Sequence, residues 1–103
     1  MVNKIKYNIK HFVTLTEKMT TCFYQQDPKR GFELYDEVLD ALLNTMDELT
    51  YLNSQQVISF DITKMNTKLE KAMTAIMNKD TILFSDIMNF EIVQEVKTYY
   101  NTL

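Results

Sequence analysis

Glycine and proline, the two residues that most readily interrupt helices, each occur only once in this chain of 103 residues. Both lie in one short segment, as Pro28 and Gly31. The rest of the sequence therefore favours long helices joined by short polar turns. A single glycine also excludes phosphate-binding loops of the glycine-rich type, which need several glycines to bring backbone N–H groups close to a phosphate.

Cysteine and histidine are equally scarce, with Cys22 and His11 as the sole examples. A lone cysteine cannot form an internal disulfide, and one histidine cannot build a His-based metal cluster. Both residues lie on one predicted helix, about 16 Å apart along its axis, which is too far for a thiolate–imidazole pair. We therefore expect no catalytic residues, no metal and no cofactor.

Long hydrophobic runs and a clustered basic face are missing as well. The longest uncharged stretch, Leu49–Phe60, is interrupted by polar residues, whereas a membrane-spanning helix needs about 20 apolar residues. The formal net charge of −3 disfavours nucleic-acid binding, because contacts to phosphates need clustered bases. The lysines at Lys4 and Lys6 precede no apolar segment, so no secretion signal is expected. These patterns predict a cytoplasmic protein without membrane or nucleic-acid partners.

Apolar residues recur at every third or fourth position through most of the chain, as in amphipathic helices. The second predicted helix has the most regular seam, which consists of Phe32, Tyr35, Leu39, Leu42, Met46 and Leu49. Helices of similar length with short connections pack as antiparallel neighbours. The pattern therefore predicts an all-α fold, an antiparallel up-down four-helix bundle in one domain of residues 1–103. The predicted helix bounds are about 2–26, 28–52, 55–78 and 80–100.

Polar segments mark the boundaries between these helices. Asp27 is expected to cap the second helix, with a proline at the first helical position. Asp80 is expected to cap the fourth helix after a tight turn. The start of the third helix stays open between Ser54 and Asp61, and a short strand around 57–62 is the alternative for this segment.

Acidic residues cover one face of the second helix. At about 100° per residue, six carboxylates project onto an arc of about 120° opposite the apolar seam. They are Glu33, Asp36, Glu37, Asp40, Asp47 and Glu48. No Lys or Arg occurs between Gly31 and Thr63, while residues 1–30 carry six bases against two acids. The stripe is either a solvated face, partly paired with bases of the first helix, or a docking surface for a basic partner.

The fourth helix is apolar almost all round, whereas a surface helix needs only one apolar stripe. The stripe predicted to face the core consists of Leu83, Ile87 and Phe90. The candidate partner-binding residues on the far side are Phe84, Met88, Ile92 and Tyr99. A central helix that is buried on every side is the alternative. Methionine packs adaptably on surfaces that accept varied partners, so Met73 and Met77 are further candidates.

The segment from Ala75 to Asp86, with Asn89 to Ile92 after it, resembles a hairpin of small helical uncharacterised proteins of Gram-positive bacteria. The helix lengths and the Asn78-Lys79-Asp80 turn also resemble the flagellin export chaperones. Those are small acidic four-helix proteins that hold a partner's helical tail in hydrophobic grooves. The resemblance implies a protein-binding role and no particular activity.

These observations favour a non-enzymatic adaptor or chaperone that holds a partner helix in an apolar groove beside the fourth helix. The alternative is an acidic inhibitor or regulator that occupies a basic, nucleic-acid-binding surface of another protein. An enzyme or metal protein is a third class, which the scarcity of catalytic residue types disfavours. Where no other protein covers the fourth helix, a symmetric homodimer is expected to do so.

Overall fold

The computed structural model describes residues 2–103, and every regular element within them is helical. The elements are α1 (Val2–Tyr24), α2 (Pro28–Ser54), α3 (Ile62–Met77), α4 (Thr81–Ile87), a π-helical segment (Met88–Ile92) and α5 (Val93–Thr102). The backbone stays in the right-handed helical region from α4 through the π-helical segment into α5. These three pieces therefore form one continuous fourth helix. The prediction of an all-α chain with four helices is confirmed.

The third helix begins at Ile62, which agrees with the later of the two starts, Ser54 and Asp61, that the sequence left open. Asp61 caps α3 by accepting a hydrogen bond from the Lys64 N–H at 3.1 Å. Before it, residues 55–61 form a loop that is held by the Phe60 N–H, which donates to Asn53 Oδ1 at 2.9 Å. Because Phe60 is buried, the loop is fixed by packing and adopts neither a helix nor the alternative strand.

The connections between the helices close without glycine. In each connection one residue adopts the left-handed conformation, and these residues are Gln26, Gln56 and Lys79. After α3 the Asp80 N–H donates to the Ala75 carbonyl at 2.9 Å and the Lys79 N–H donates to Ile76, which is the Schellman arrangement. A non-glycine residue in this conformation costs about 1 kcal/mol. The scarcity of glycine therefore weakens the turns without preventing them.

Gly31 lies inside α2 rather than in a turn, and it faces the Phe23 ring of α1. A Cβ atom at this position would lie 2.5 Å from the Phe23 ring. That ring is buried and packs edge-on against Phe32 and Phe84, with centroid distances of 5.1 and 6.0 Å. The single glycine is therefore required by helix packing, because the confined ring occupies the space that a side chain would need.

We expect Gly31→Ala to lower the free energy of unfolding by about 1–2 kcal/mol, measured by urea denaturation. Alanine forms helix better than glycine, but overpacking a core costs more than this gain. The control is the double variant Phe23→Leu/Gly31→Ala compared with Phe23→Leu alone, where the space for Cβ exists and alanine should stabilise. A more stable Gly31→Ala single variant would show that the Phe23 ring moves aside freely.

The helices meet through contacts at defined levels. The Asn8 amide donates to Glu48 at 2.9 Å, so the beginning of α1 lies beside the end of α2. Along the other side of α1, the Asn89 amide donates to the Thr20 hydroxyl at 3.0 Å. On the far side of the fourth helix, the ion pair of Lys68 with Glu95 joins it to α3 at 2.5 Å. Side chains from all four helices fill the core between these contacts.

The fourth helix changes its register within Met88–Ile92. There the Val93 N–H donates to the Met88 carbonyl five residues earlier, which is the hydrogen bond of a π-helix. The extra residue turns the following side chains back by about 100° relative to an uninterrupted α-helix. Buried Phe84 in α4 and buried Val96 in α5 therefore face the same core. With a single α-helical period, they would project about 120° apart.

Candidate functional site

The stripe predicted to bind a partner through the fourth helix lies in the core instead. Phe84, Met88 and Ile92 are fully buried within the chain, and Tyr99 is half-buried. The prediction that Phe84, Met88 and Ile92 face a groove or a second copy was wrong. These three residues precede Val93 and share one helical face, so the error lay in assigning another apolar face of the same helix to the core.

The stripe predicted to face the core is correspondingly exposed in part. Leu83 is 48% exposed and Phe90 is 69% exposed, while Ile87 is buried. The prediction of a core position was therefore right for Ile87 and wrong for Leu83 and Phe90. The alternative of a helix buried on every side is also excluded, because Leu83 and Phe90 lie on its outer surface.

The acidic stripe of α2 is exposed along most of its length. Glu33, Asp36, Glu37, Asp40 and Asp47 are exposed, and Glu48 is half-buried. Glu48 accepts hydrogen bonds from the Asn8 amide at 2.9 and 3.1 Å. Within residues 2–103, the ion pairs shorter than 4.0 Å are Lys68–Glu95 and Lys97–Glu17, and neither includes the stripe. Partial pairing of the stripe with bases of α1 is therefore not found among the described residues.

Removing charge from this stripe is expected to leave the protein as stable or slightly more stable. In the triple variant Glu33→Gln/Glu37→Gln/Asp40→Asn, like charges three and four residues apart are relieved, each pair contributing a few tenths of a kcal/mol. Urea unfolding at low salt measures the change. Glu95→Gln is the control, because Glu95 pairs with Lys68 and its loss should destabilise. A clear loss of stability in the triple variant would indicate ion pairs with α1 in solution.

Several apolar side chains of α2 and α3 are left exposed or half-buried. We infer an open seam between the two helices, the α2–α3 groove, and assign to its walls Phe32, Leu39 and Leu43 of α2 and Ile62, Leu69 and Met73 of α3. The exposed fractions of Leu43, Phe32 and Ile62 are 52%, 45% and 38%. The other three side chains are half-buried. The walls therefore present apolar atoms to solvent along both helices.

α2 packs mainly on α1 and α3 mainly on the fourth helix, and close approaches between α2 and α3 are few. The Tyr35 hydroxyl lies 3.5 Å from the Met73 sulfur, and the loop contact of Asn53 with Phe60 joins the other end. Beside the Tyr35 contact, α3 bears a shallow cavity of about 520 Å³ lined by Asn66, Leu69, Glu70, Met73 and Thr74. Because α2 packs more closely on α1, and α3 on the fourth helix, the apolar side chains between α2 and α3 are left partly uncovered.

The groove walls follow the same spacing on both helices. In each wall the second side chain follows the first by seven residues and the third follows by four more. This spacing aligns the three side chains on one face of an α-helix. The contact of Tyr35 with Met73 brings α2 and α3 together beside these side chains. Each wall therefore presents one apolar ladder along its own helix.

Carboxylates border the groove. Asp36 and Asp47 lie seven residues before and four residues after Leu43, so they share its side of α2. Burial raises the pKa of Tyr35, and the nearby negative charge of Asp36 raises it further. On the opposite wall, Glu70 lines the cavity along α3. An apolar trough with acidic borders suits a ligand that has both apolar and basic groups.

Bases are placed away from the middle of this groove. Lys68 points to the fourth helix, where it pairs with Glu95, and Lys64 and Lys71 lie on the same side of α3 by helical spacing. Lys29 shares the side of Asp36 on α2 but lies seven residues earlier, about 10 Å toward the end of the groove. The electrostatic character of the central part is therefore set by carboxylates.

Sequence reasoning missed this groove because it assigned every member of the heptad seams to the core. The members split into two sets. In α2 Leu42 and Leu49 are fully buried, whereas Phe32 and Leu39 contribute to the groove wall. The spacing of Leu43 from Leu39 was a signal for a second apolar face. Whether this second face is exposed depends on the distance between α2 and α3, and the residue pattern of a single helix does not predict that distance.

The residue types considered for catalysis are dispersed. His11 is exposed on α1 and stacks at 6.4 Å from Tyr7, while Cys22 is half-buried nearer the other end. Within residues 2–103, no three His, Cys, Asp or Glu side chains are gathered in a way that could hold a metal ion. None of the described helices has the length and apolar character needed to cross a membrane.

Comparison with known proteins adds a family and no activity. No curated protein and no solved structure matches the chain significantly. The likeness to flagellin export chaperones and the Gram-positive origin therefore stay predictions. A family model described as a domain of unknown function, DUF8042, matches residues 5–102, which include the hairpin at 75–86. Because this match covers nearly all of the described chain, the protein belongs to the DUF8042 family.

Proposed function

We propose that this protein is a non-enzymatic adaptor or chaperone-like module that binds another protein by holding one of its helices in the α2–α3 groove. The observation that carries the proposal is the exposed apolar surface of Phe32 and Leu43 on α2 and of Ile62 on α3, two helices that touch through Tyr35 and Met73. This location replaces the predicted groove beside the fourth helix, whose residues are buried. A location in the cytoplasm, where the thiol of Cys22 would stay reduced, is part of the proposal.

The proposed arrangement of the helices is an antiparallel up-down bundle. It is supported by contacts at opposite chain positions, such as Asn8 with Glu48 and Thr20 with Asn89. The contact of Tyr35 with Met73 supports the same relation between α2 and α3. In such a bundle α2 and α3 lie side by side, and the partner helix would lie along the seam on their outer side, beside the Tyr35–Met73 contact.

The dimensions suit a helix of moderate length. The shorter wall, α3, has 16 residues and is about 24 Å long. A bound helix of four or five turns would cover it and anchor residues at i, i+3, i+4 and i+7 in the trough. Met73 can adjust its side chain to anchors of different shape, which suits a module that accepts more than one partner helix.

A synthetic helix tests the proposal without knowledge of the natural partner. The probe is a fluorescein-labelled 18-residue peptide with Leu at i, i+3, i+4 and i+7 and uncharged Gln and Ser elsewhere. Titration with the full chain, followed by fluorescence anisotropy, should give saturable binding. The variant Leu43→Asp, which places a charge on the groove wall, should weaken binding about tenfold or more.

The matched control is Leu83→Asp. Leu83 is exposed to nearly the same extent as Leu43 but lies on the fourth helix, outside the groove. Its affinity for the peptide should stay within about twofold of that of the unmodified protein. Absence of saturable binding, or an equal loss in both variants, would contradict groove binding.

The acidic stripe supports a second candidate function, an inhibitor or regulator that occupies a basic surface of another protein. Five of its six carboxylates are exposed, and no base lies on the same stretch of α2. Such binding would weaken strongly between low and physiological salt, whereas binding through apolar contacts would change little. Salt dependence of binding to a purified basic domain therefore tests this candidate separately.

A further inference from the structure

We propose that the natural occupant of the α2–α3 groove is an amphipathic helix whose apolar stripe is flanked by lysine or arginine. The inference rests on the proposed groove binding and specifies the chemistry of the partner. Its basis is the juxtaposition of an apolar trough with carboxylates on both borders.

The borders contribute negative charge from two helices. Asp36 and Asp47 are exposed on the side of α2 that carries Leu43, and Glu70 is exposed on α3. Within residues 2–103, none of the three has an ion-pair partner within 4.0 Å. A helix seated on the apolar floor would place its flanking side chains directly above these carboxylates. Basic groups there gain attraction, while acidic groups meet like charge.

A second copy of the chain is a poor occupant of this groove. In a symmetric contact, each trough would meet the same surface of the other copy. Such a contact would gather Asp36, Asp47 and Glu70 from both copies in one interface, which would concentrate negative charge there. The lysines of α3 could not relieve this repulsion, because Lys68 pairs with Glu95 and Lys64 and Lys71 lie on its side. Charge complementarity therefore favours a basic partner of another sequence.

Three peptides with the same leucine stripe separate the contributions of apolar contact and charge. Their flanking positions carry Lys, Gln or Glu, and a fourth peptide has the composition of the Lys peptide in scrambled order. At low salt the Lys peptide should bind about tenfold more tightly than the Gln peptide, and the Glu peptide should bind least. The advantage of the Lys peptide should shrink at high salt.

Protein variants assign the effect to the borders of the groove. In Asp36→Asn/Asp47→Asn the Lys peptide should lose most of its advantage, while the affinity for the Gln peptide stays unchanged. The matched control is Glu33→Gln/Glu37→Gln, which removes the same charge from α2 but on positions turned away from Leu43. This control should keep most of the preference for the Lys peptide.

The outcomes separate the two proposals. If no peptide with the leucine stripe binds, groove binding itself fails. If the Lys and Gln peptides bind equally, the groove stands and the basic partner is refuted. Equal binding of the scrambled peptide would refute it too, because the stripe of carboxylates would then act without the trough. Sedimentation that shows a dimer disrupted by Leu43→Asp would identify a second copy as the occupant and overturn the inference.

Discussion

Replacing Met88 by lysine is expected to destabilise the protein strongly and to lower its melting temperature. The Met88 side chain is fully buried, and its carbonyl accepts the π-helical hydrogen bond from Val93. An ammonium group there must either lose its hydration or deprotonate, and both are costly. A loss of about 4 kcal/mol or more is expected for such a buried charge. Since domains of this size are stable by about 5–15 kcal/mol, the helical circular dichroism signal should melt at a much lower temperature.

Met77→Lys is the matched control for this substitution. Met77 is 80% exposed at the end of α3, so lysine at that position should change stability by less than about 0.5 kcal/mol. A Met88→Lys protein that melts normally would show that this side chain reaches solvent. A normally folded Met88→Lys protein that has lost an assembly would restore the interpretation of Met88 as a contact residue.

Leu42→Ala is expected to lower the free energy of unfolding by about 2–5 kcal/mol, measured by urea denaturation. Leu42 is fully buried in the middle of α2, and truncation leaves a cavity that neighbouring side chains fill only partly. The neighbouring substitution Leu43→Ala is the control, since Leu43 is 52% exposed and should cost less than about 1 kcal/mol. Equal costs at the two positions would contradict the assignment of one to the core and the other to the groove.

The burial of residues in α2 and in the fourth helix shows how far helical periodicity predicts which side chains lie in the core. In α2 the seam correctly indicated Leu42 and Leu49 as core residues, because a long regular helix keeps one phase from end to end. In the fourth helix the same reasoning placed Phe84 and Met88 outside and Phe90 inside, which is the reverse of the structure. The difference is that the fourth helix carries apolar residues on a second face, such as Leu83 and Phe90, and spacing alone does not decide which face packs inward.

The sequence predicted the negative charge beside the α2–α3 groove, but it did not predict where the apolar groove itself lies. The absence of bases from Gly31 to Thr63 indicated an acidic surface on α2, and most of its carboxylates are exposed. The apolar part of the site could not be found in the same way. Leu39 and Leu69 have the spacing of core residues, and their exposure depends on how far α3 lies from α2.

Local signals in the sequence specify the secondary structure of this protein. Scarce helix breakers, regular apolar spacing and the aspartates at Asp27 and Asp80 specify the helices and two of the connections, because each signal acts within about one turn of chain. Tertiary structure alone decided the rest. Gly31 fits the Phe23 ring, and the fourth helix inserts a residue to keep both halves of its apolar surface on one core. The α2–α3 groove likewise depends on tertiary packing, because α2 packs more closely on α1, and α3 on the fourth helix, than α2 and α3 pack on each other. Distances between helices depend on side chains far apart in sequence, so no local pattern records them.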